Sequence, residues 1–177
     1  RKTDRVPDFV IFEFLENPHS PEINDYFYLV DGLKLANLVD SSTKNFLSKH
    51  KLAIKGMQNH VRQEWSADFE IPLLRHDFGE ERILGHIPTV DLKKLSVVDG
   101  WLYSSNENIL FKFVDCSVEK TISIVFELHD LIDSHDDVVF RFVPQNGFSV
   151  ILDNKRIMHG RSYGGKPYTR LMRRTQL

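Results

Sequence analysis

The feature that most limits what this chain can become is a strict two-residue alternation of large side chains in several short, separately bounded segments. Val10, Phe12 and Phe14 alternate with Ile11, Glu13 and Leu15 until Asn17-Pro18. Residues two apart on an extended chain point to one face, so this run predicts a strand with a continuous apolar side. Tyr26-Phe27-Tyr28-Leu29-Val30 predicts a second strand, closed by Asp31-Gly32. Leu33, Ala36, Leu38 and Val39 then recur at helical spacing toward Phe46 and Leu47. From Lys51 to Gly100 short apolar clusters are broken by charge and by Pro72 and Pro88, which reads as loops and short strands covering a site. Ile122, Val125, Phe126, His129 and Ile132 define an amphipathic helix that stops near Asp133-Ser134-His135. Val138 to Val143 alternates again, Pro144-Gln145-Asn146-Gly147 has hairpin chemistry, and Phe148 to Leu152 continues as strand to Asp153-Asn154. Many strands with few helices, outside βαβ order, favour an antiparallel barrel or two-sheet sandwich.

At 177 residues the chain can bury one core but not two ordinary ones, and no linker interrupts it, so residues 1–177 are expected to form a single domain. Twenty-three Lys and Arg against 25 Asp and Glu give a formal charge of −2, which excludes a global field that would draw the chain onto nucleic acid or an anionic membrane. Phe9–Phe12 and Ile109–Phe113, the longest apolar runs, fall far short of the ~20 residues that span a bilayer. The single cysteine, Cys116, has no internal disulfide partner and reads as a small buried hydrophobe. These features point to a cytoplasmic protein with a small-molecule substrate, its homo-oligomeric state left open. The opening Arg1-Lys2-Thr3-Asp4-Arg5 runs almost directly into strand-like sequence, as a fragment lacking its first strands would.

The segment from Gln145 to Tyr163 contains Asp153-Asn154-Lys155-Arg156-Ile157-Met158-His159-Gly160-Arg161. This run resembles the signature of the taurine dioxygenase and gamma-butyrobetaine hydroxylase family of Fe(II)- and 2-oxoglutarate-dependent oxygenases. The resemblance implies a mainly β fold with flanking helices, a double-stranded β-helix of jelly-roll, cupin-like type. It also implies that His159 is an iron ligand. The family's other ligands come as His-x-Asp, and the matching place is Lys2-Thr3-Asp4, roughly 155 residues upstream. Asp4 is therefore expected as the carboxylate ligand, with Lys2 at the position of the first His. Two imidazoles and one carboxylate on one face of an octahedral iron leave room for a bidentate 2-oxo acid and O₂. By the same resemblance Arg170, eleven residues after His159, grips the distal carboxylate of 2-oxoglutarate, and Arg174 and Arg161 meet an anionic substrate. A planar guanidinium suits that task because it makes two parallel charge-assisted bonds.

Two positions depart from the pattern. An ammonium at Lys2 has three donors and no lone pair, so it repels a divalent metal unless burial strips its proton. The ligand was replaced, the motif lies one register away, or the segment is damaged. Before the Val30-Asp31-Gly32 turn, where relatives present a small hydroxyl residue, this chain has Tyr26, Phe27 and Tyr28. His50, His60, His76, His86, His129 and His135 lack partners at ligand spacing, and Trp65 and Trp101 read as core anchors. Two functions follow: hydroxylation or a related oxidation of a small molecule coupled to 2-oxoglutarate decarboxylation, or an impaired β-helix domain binding an anionic ligand, its iron site degraded at Lys2.

Overall fold

The computed structural model describes residues 8–16, 26–57, 65–77, 79–85, 87–88, 95–105, 109–161 and 171–176. In chain order the elements are β1 (Phe9–Glu16), β2 (Phe27–Asp31), α1 (Gly32–Leu38), α2 (Ser41–Lys49), β3 (Leu52–Met57), β4 (Trp65–Ile71), β5 (Leu74–Asp77), β6 (Glu80–Ile83), β7 (Leu95–Val98), β8 (Trp101–Ser104), β9 (Ile109–Phe113), α3 (Val118–Ser134), β10 (Val139–Phe142), β11 (Phe148–Asp153), β12 (Ile157–Arg161) and β13 (Leu171–Gln176). The protein is mainly β, as the alternation predicts. Contacts divide it into two compact units: residues 1–32 with 136–177, and residues 33–135.

The first unit contains two three-stranded antiparallel sheets, ordered β11-β1-β13 and β10-β2-β12. Consecutive strands from β10 to β13 alternate between them. The turn at Pro144–Gly147 is therefore not the tip of a hairpin, as its composition suggests. Gly147 takes φ +77° and donates its N–H to the Phe14 carbonyl at 2.7 Å, and the turn carries the chain across the ~10 Å that separates packed sheets. Turn chemistry is local, whereas the choice of partner strand belongs to the whole sheet. Val10, Phe12 and Phe14 form the core face of β1 and meet Phe27 of β2, with Leu152 closing the cluster. Phe12 and Phe14 each contact the Phe27 ring edge-on at 5.3 Å.

The second unit holds the five-stranded antiparallel sheet β4-β3-β9-β8-β7, the β5–β6 ribbon and the helices α2 and α3. The stretch from Lys51 to Gly100, expected as loops and short strands, supplies the short strands β3 to β7. Strand β3 of the five-stranded sheet pairs Leu52 with Phe113 of the central strand β9, 61 positions away, which no local period reveals. Asp99 and Gly100, at φ 48° and 74°, form the two-residue hairpin between β7 and β8 that an Asp-Gly pair favours. The helical stretch after Leu33 is two helices: Asp40 accepts the Thr43 N–H at 2.7 Å and caps α2. Ser117 caps α3 by accepting from Lys120. The buried stripe of α3 is Thr121, Ile124, Val125, Leu128 and Ile132, so Ile122, Phe126 and His129 lie only at its margin. The face is rotated because Thr121, polar in sequence, is buried at the helix start, its hydroxyl accepting the Phe113 N–H and donating to the Ser117 carbonyl.

Candidate functional site

The site begins in the turn between β11 and β12. Asp153 Oδ1 accepts the Lys155 N–H at 2.9 Å, and the Arg156 N–H closes onto the Asp153 carbonyl at 3.1 Å. Asn154 donates its N–H to the Asp8 carbonyl, while Lys155 pairs with the Asp8 carboxylate at 2.6 Å. Arg156 then reaches the end of β2. Its Nε lies 3.3 and 3.2 Å from the two Asp31 carboxylate oxygens and its Nη2 lies 2.6 Å from Oδ2, while its carbonyl accepts the Gly32 N–H at 2.8 Å. The Asp-Asn-x-Arg run and the Val-Asp-Gly turn, distant in sequence, thus lock together. That pairing escapes single-sequence reading, although an unmatched charge in each motif is a usable signal for it.

The lock sets the register of β12 on β2, with Ile157 opposite Asp31 and His159 opposite Leu29. His159 consequently shares the core-facing side with Leu29 and Ile157, which pack on the unit's aromatic cluster. Its ring meets the Phe12 edge at 4.6 Å and lies nearly parallel to Phe27 at 6.2 Å, and its Nδ1 is closed off from solvent. Packing therefore fixes the ring plane. One residue further, Gly160 stands opposite Tyr28 on the other face of the sheet, and a Cβ built there would collide with the hydroxyl end of the phenol ring. Tyr28 is thus turned away from the His159 face and does not supply the hydroxyl missing before the Val-Asp-Gly turn there; its bulk is accommodated because position 160 has no side chain.

Arg174 lies opposite Phe12 on β13, its guanidinium carbon 5.8 Å from the centre of the Phe12 ring. Its neighbour Arg173 turns the other way and pairs with Glu13 at 3.5 Å. Of the anticipated residues, the structure therefore brings His159 and Arg174 to one aromatic ring. Arg161 continues β12 opposite Phe27, with its side chain outside the described set. Asp4, Lys2 and Arg170 lie outside the described residues.

The remaining candidates among the described residues have local neighbours; His60, His86 and the Trp65 side chain lie outside them. His50 Nδ1 lies 3.2 Å from the Val114 carbonyl, His129 Nε2 lies 2.8 Å from the Pro88 carbonyl, His135 Nδ1 lies 3.0 Å from the Leu131 carbonyl, and His76 sits 3.8 Å from Glu81. Cys116 is only half-buried, at the start of the turn into α3, with its Sγ 3.4 Å from His50 Nδ1. Burial, reinforced by the Asp115 carboxylate and opposed by Lys120, raises its thiol pKa above the usual value. Trp101 is likewise not a core anchor: it lies half-buried on the five-stranded sheet, with the ammonium groups of Lys55 and Lys112 at 4.3 and 4.7 Å from its ring.

A two-histidine, one-carboxylate metal centre needs three donors. Among the described residues no three His, Cys, Asp or Glu side chains gather, and His159 is the one anticipated donor that they include. The half-buried, packed imidazole suits a ligand whose orientation must be held, so the fit of the described residues to a metal is partial.

No family model and no curated sequence matches the chain. Its fold does match solved structures. AAD-2 in complex with Mn(II) and N-oxalylglycine superposes with a TM-score of 0.61 at 14% identity, covering 97% of this chain and 63% of that one. A taurine dioxygenase from Burkholderia xenovorans gives 0.61 at 14%, covering 97% and 52%. An asparagine oxygenase in complex with Fe(II), 2S,3S-3-hydroxyasparagine and succinate gives 0.61 at 18%, covering 99% and 46%. The chain thus spans about half to three-fifths of the length of these structures, and the resemblance drawn from the Asp153–Arg161 run is matched at the level of fold.

Proposed function

We propose that the chain is a double-stranded β-helix of jelly-roll, cupin-like type belonging to an Fe(II)- and 2-oxoglutarate-dependent dioxygenase that hydroxylates or otherwise oxidises a small molecule. The observation that carries this reading is the placement of His159: it stands on the inner face of two sheets that share consecutive strands, in a fold otherwise seen in such oxygenases. In this reading His159 and Asp4 hold the metal, which supplies the oxygen-activating chemistry. Arg170 holds the distal carboxylate of 2-oxoglutarate, and Arg174 and Arg161 meet an anionic part of the substrate. Phe12 and Phe27 orient the His159 ring and keep water from its Nδ1 side. Strand-borne side chains fix such positions more tightly than loop residues do.

The test is an anaerobic titration of Fe(II) with 2-oxoglutarate, read by the charge-transfer absorption of the chelated 2-oxo acid, on the native protein and on Lys2→His. Replacing an ammonium by a neutral imidazole donor is expected to lower the Fe(II) dissociation constant and raise succinate release. If neither protein develops the band, the oxygenase reading is wrong and an anion-binding domain remains. If both bind iron equally, Lys2 is not at the metal position.

A further inference from the structure

Strands β5 and β6 form a ribbon in the second unit, with Leu74 opposite Ile83, Arg75 opposite Arg82, His76 opposite Glu81 and Asp77 opposite Glu80. Alternation places Leu74, His76, Glu81 and Ile83 on one face, where Leu74 and Ile83 are buried and Glu81 pairs with Lys44 of α2 at 3.0 Å. The other face carries the two arginines directly across from each other, with Glu80, which pairs in register with position 77, beyond them. Like charges in opposed positions repel and weaken a two-stranded ribbon. Arg82 is compensated: its Nη2 donates to Glu80 at 3.0 Å, and only 11% of its side chain is exposed. Arg75 is not. Among the described residues its guanidinium has no hydrogen bond or ion pair, and its Nε–H, like that of Arg82, is shut off from solvent without an acceptor.

A desolvated N–H of a permanent cation, set against a second cation, is a costly arrangement that an added oxyanion would relieve. We infer that this face of the ribbon is a binding site for a carboxylate or phosphate group, gripped by Arg75 with Arg82 beside it. A guanidinium matches such a group because its donors lie in one plane at the spacing of two oxygens. Glu80 restricts the site to a single small anion, since it already neutralises Arg82. The inference is independent of the metal reading, because it rests on the ribbon alone.

The test follows the arginine Nε–Hε resonances of the ¹⁵N-labelled protein, with the Arg75 signal identified by its loss in Arg75→Lys. Inorganic phosphate and acetate are titrated separately at constant ionic strength, with sodium chloride as control. A saturable shift of the Arg75 signal with phosphate alone identifies a phosphate site, and a saturable shift with both identifies a general oxyanion site. Linear drift, or a response that chloride reproduces, overturns the inference. Arg75→Gln supplies a second measurement. Its melting temperature without phosphate is expected to match or exceed that of the native protein, because repulsion is removed, and phosphate should no longer raise it. An undiminished phosphate-induced rise in Arg75→Gln would also overturn the inference.

Discussion

Removing the Arg156 side chain tests whether the lock on Asp31 truly holds β12 in register. Arg156→Ala deletes three hydrogen bonds, of 2.6, 3.2 and 3.3 Å, and leaves a carboxylate whose side chain is 15% exposed. A hydrogen bond to a charged group contributes ~1.5–3 kcal/mol. Two of the three bonds are long, and the Arg156 side chain is 44% exposed, so screening brings the whole set to about 1.5 kcal/mol. For a chain of this size that corresponds to a fall of roughly 3–6 °C in melting temperature. Asp31→Asn keeps the shape and removes the charge, and should cost about 1 kcal/mol. Because the two residues act as one unit, the double variant is expected to cost little more than Arg156→Ala, giving a coupling of about 1 kcal/mol in a thermodynamic cycle. Hydrogen exchange adds the register readout: amides of Met158 and His159, paired with Val30 and Leu29, should lose protection in Arg156→Ala before those of β1 do. Additive effects, or unchanged protection along β12, would refute the positioning role of Arg156.

Gly160→Ala should destabilise the protein by about 1–3 kcal/mol through collision with the Tyr28 ring, and Tyr28→Ala in the same chain should recover most of that loss in thermal melts. On the proposed function, Arg170→Ala is expected to raise the apparent constant for 2-oxoglutarate about thirty-fold or more, since losing one partner of a partly buried charged pair costs ~2–5 kcal/mol; the constant for the prime substrate should move far less in steady-state kinetics. His159→Ala should abolish iron-dependent succinate release while near-ultraviolet circular dichroism still reports a packed aromatic core. Because the Cys116 pKa is raised, its thiolate fraction at pH 8 is smaller than that of an ordinary thiol, so iodoacetamide should label it more slowly than free cysteine at pH 8 and approach the same rate as the pH rises.

Period-two patterning made β1 and its inward residues readable, because burial of Val10, Phe12 and Phe14 is decided within one short segment. The helix α3 was legible for the same reason, but its rotation was not: a threonine counts as polar until a strand supplies its hydrogen-bond partner. Strand partnership was mostly hidden. Phe148 follows β10 by a short turn yet pairs with Phe14, and Ile54 pairs with both Phe69 and Phe111. Such choices depend on which edges remain open once other strands have paired. The candidate site divides in the same way. His159 and Arg174 were singled out by the family resemblance, while Phe12, which both touch, carries no chemical signature and emerges only when the sheets face each other.

The Asp31 N–H donates to the Val138 carbonyl at 2.9 Å, so the chain that departs β2 comes back beside its point of departure. Between those residues lie roughly 100 others, which form the second unit. Closing a flexible loop of that length costs ~4 kcal/mol from the logarithmic term alone. A folded insertion with neighbouring ends has already met that cost, so β10 finds β2 most readily once the insertion has formed. Lengthening a loop inside the insertion then leaves that closure cost unchanged, provided the two ends still meet.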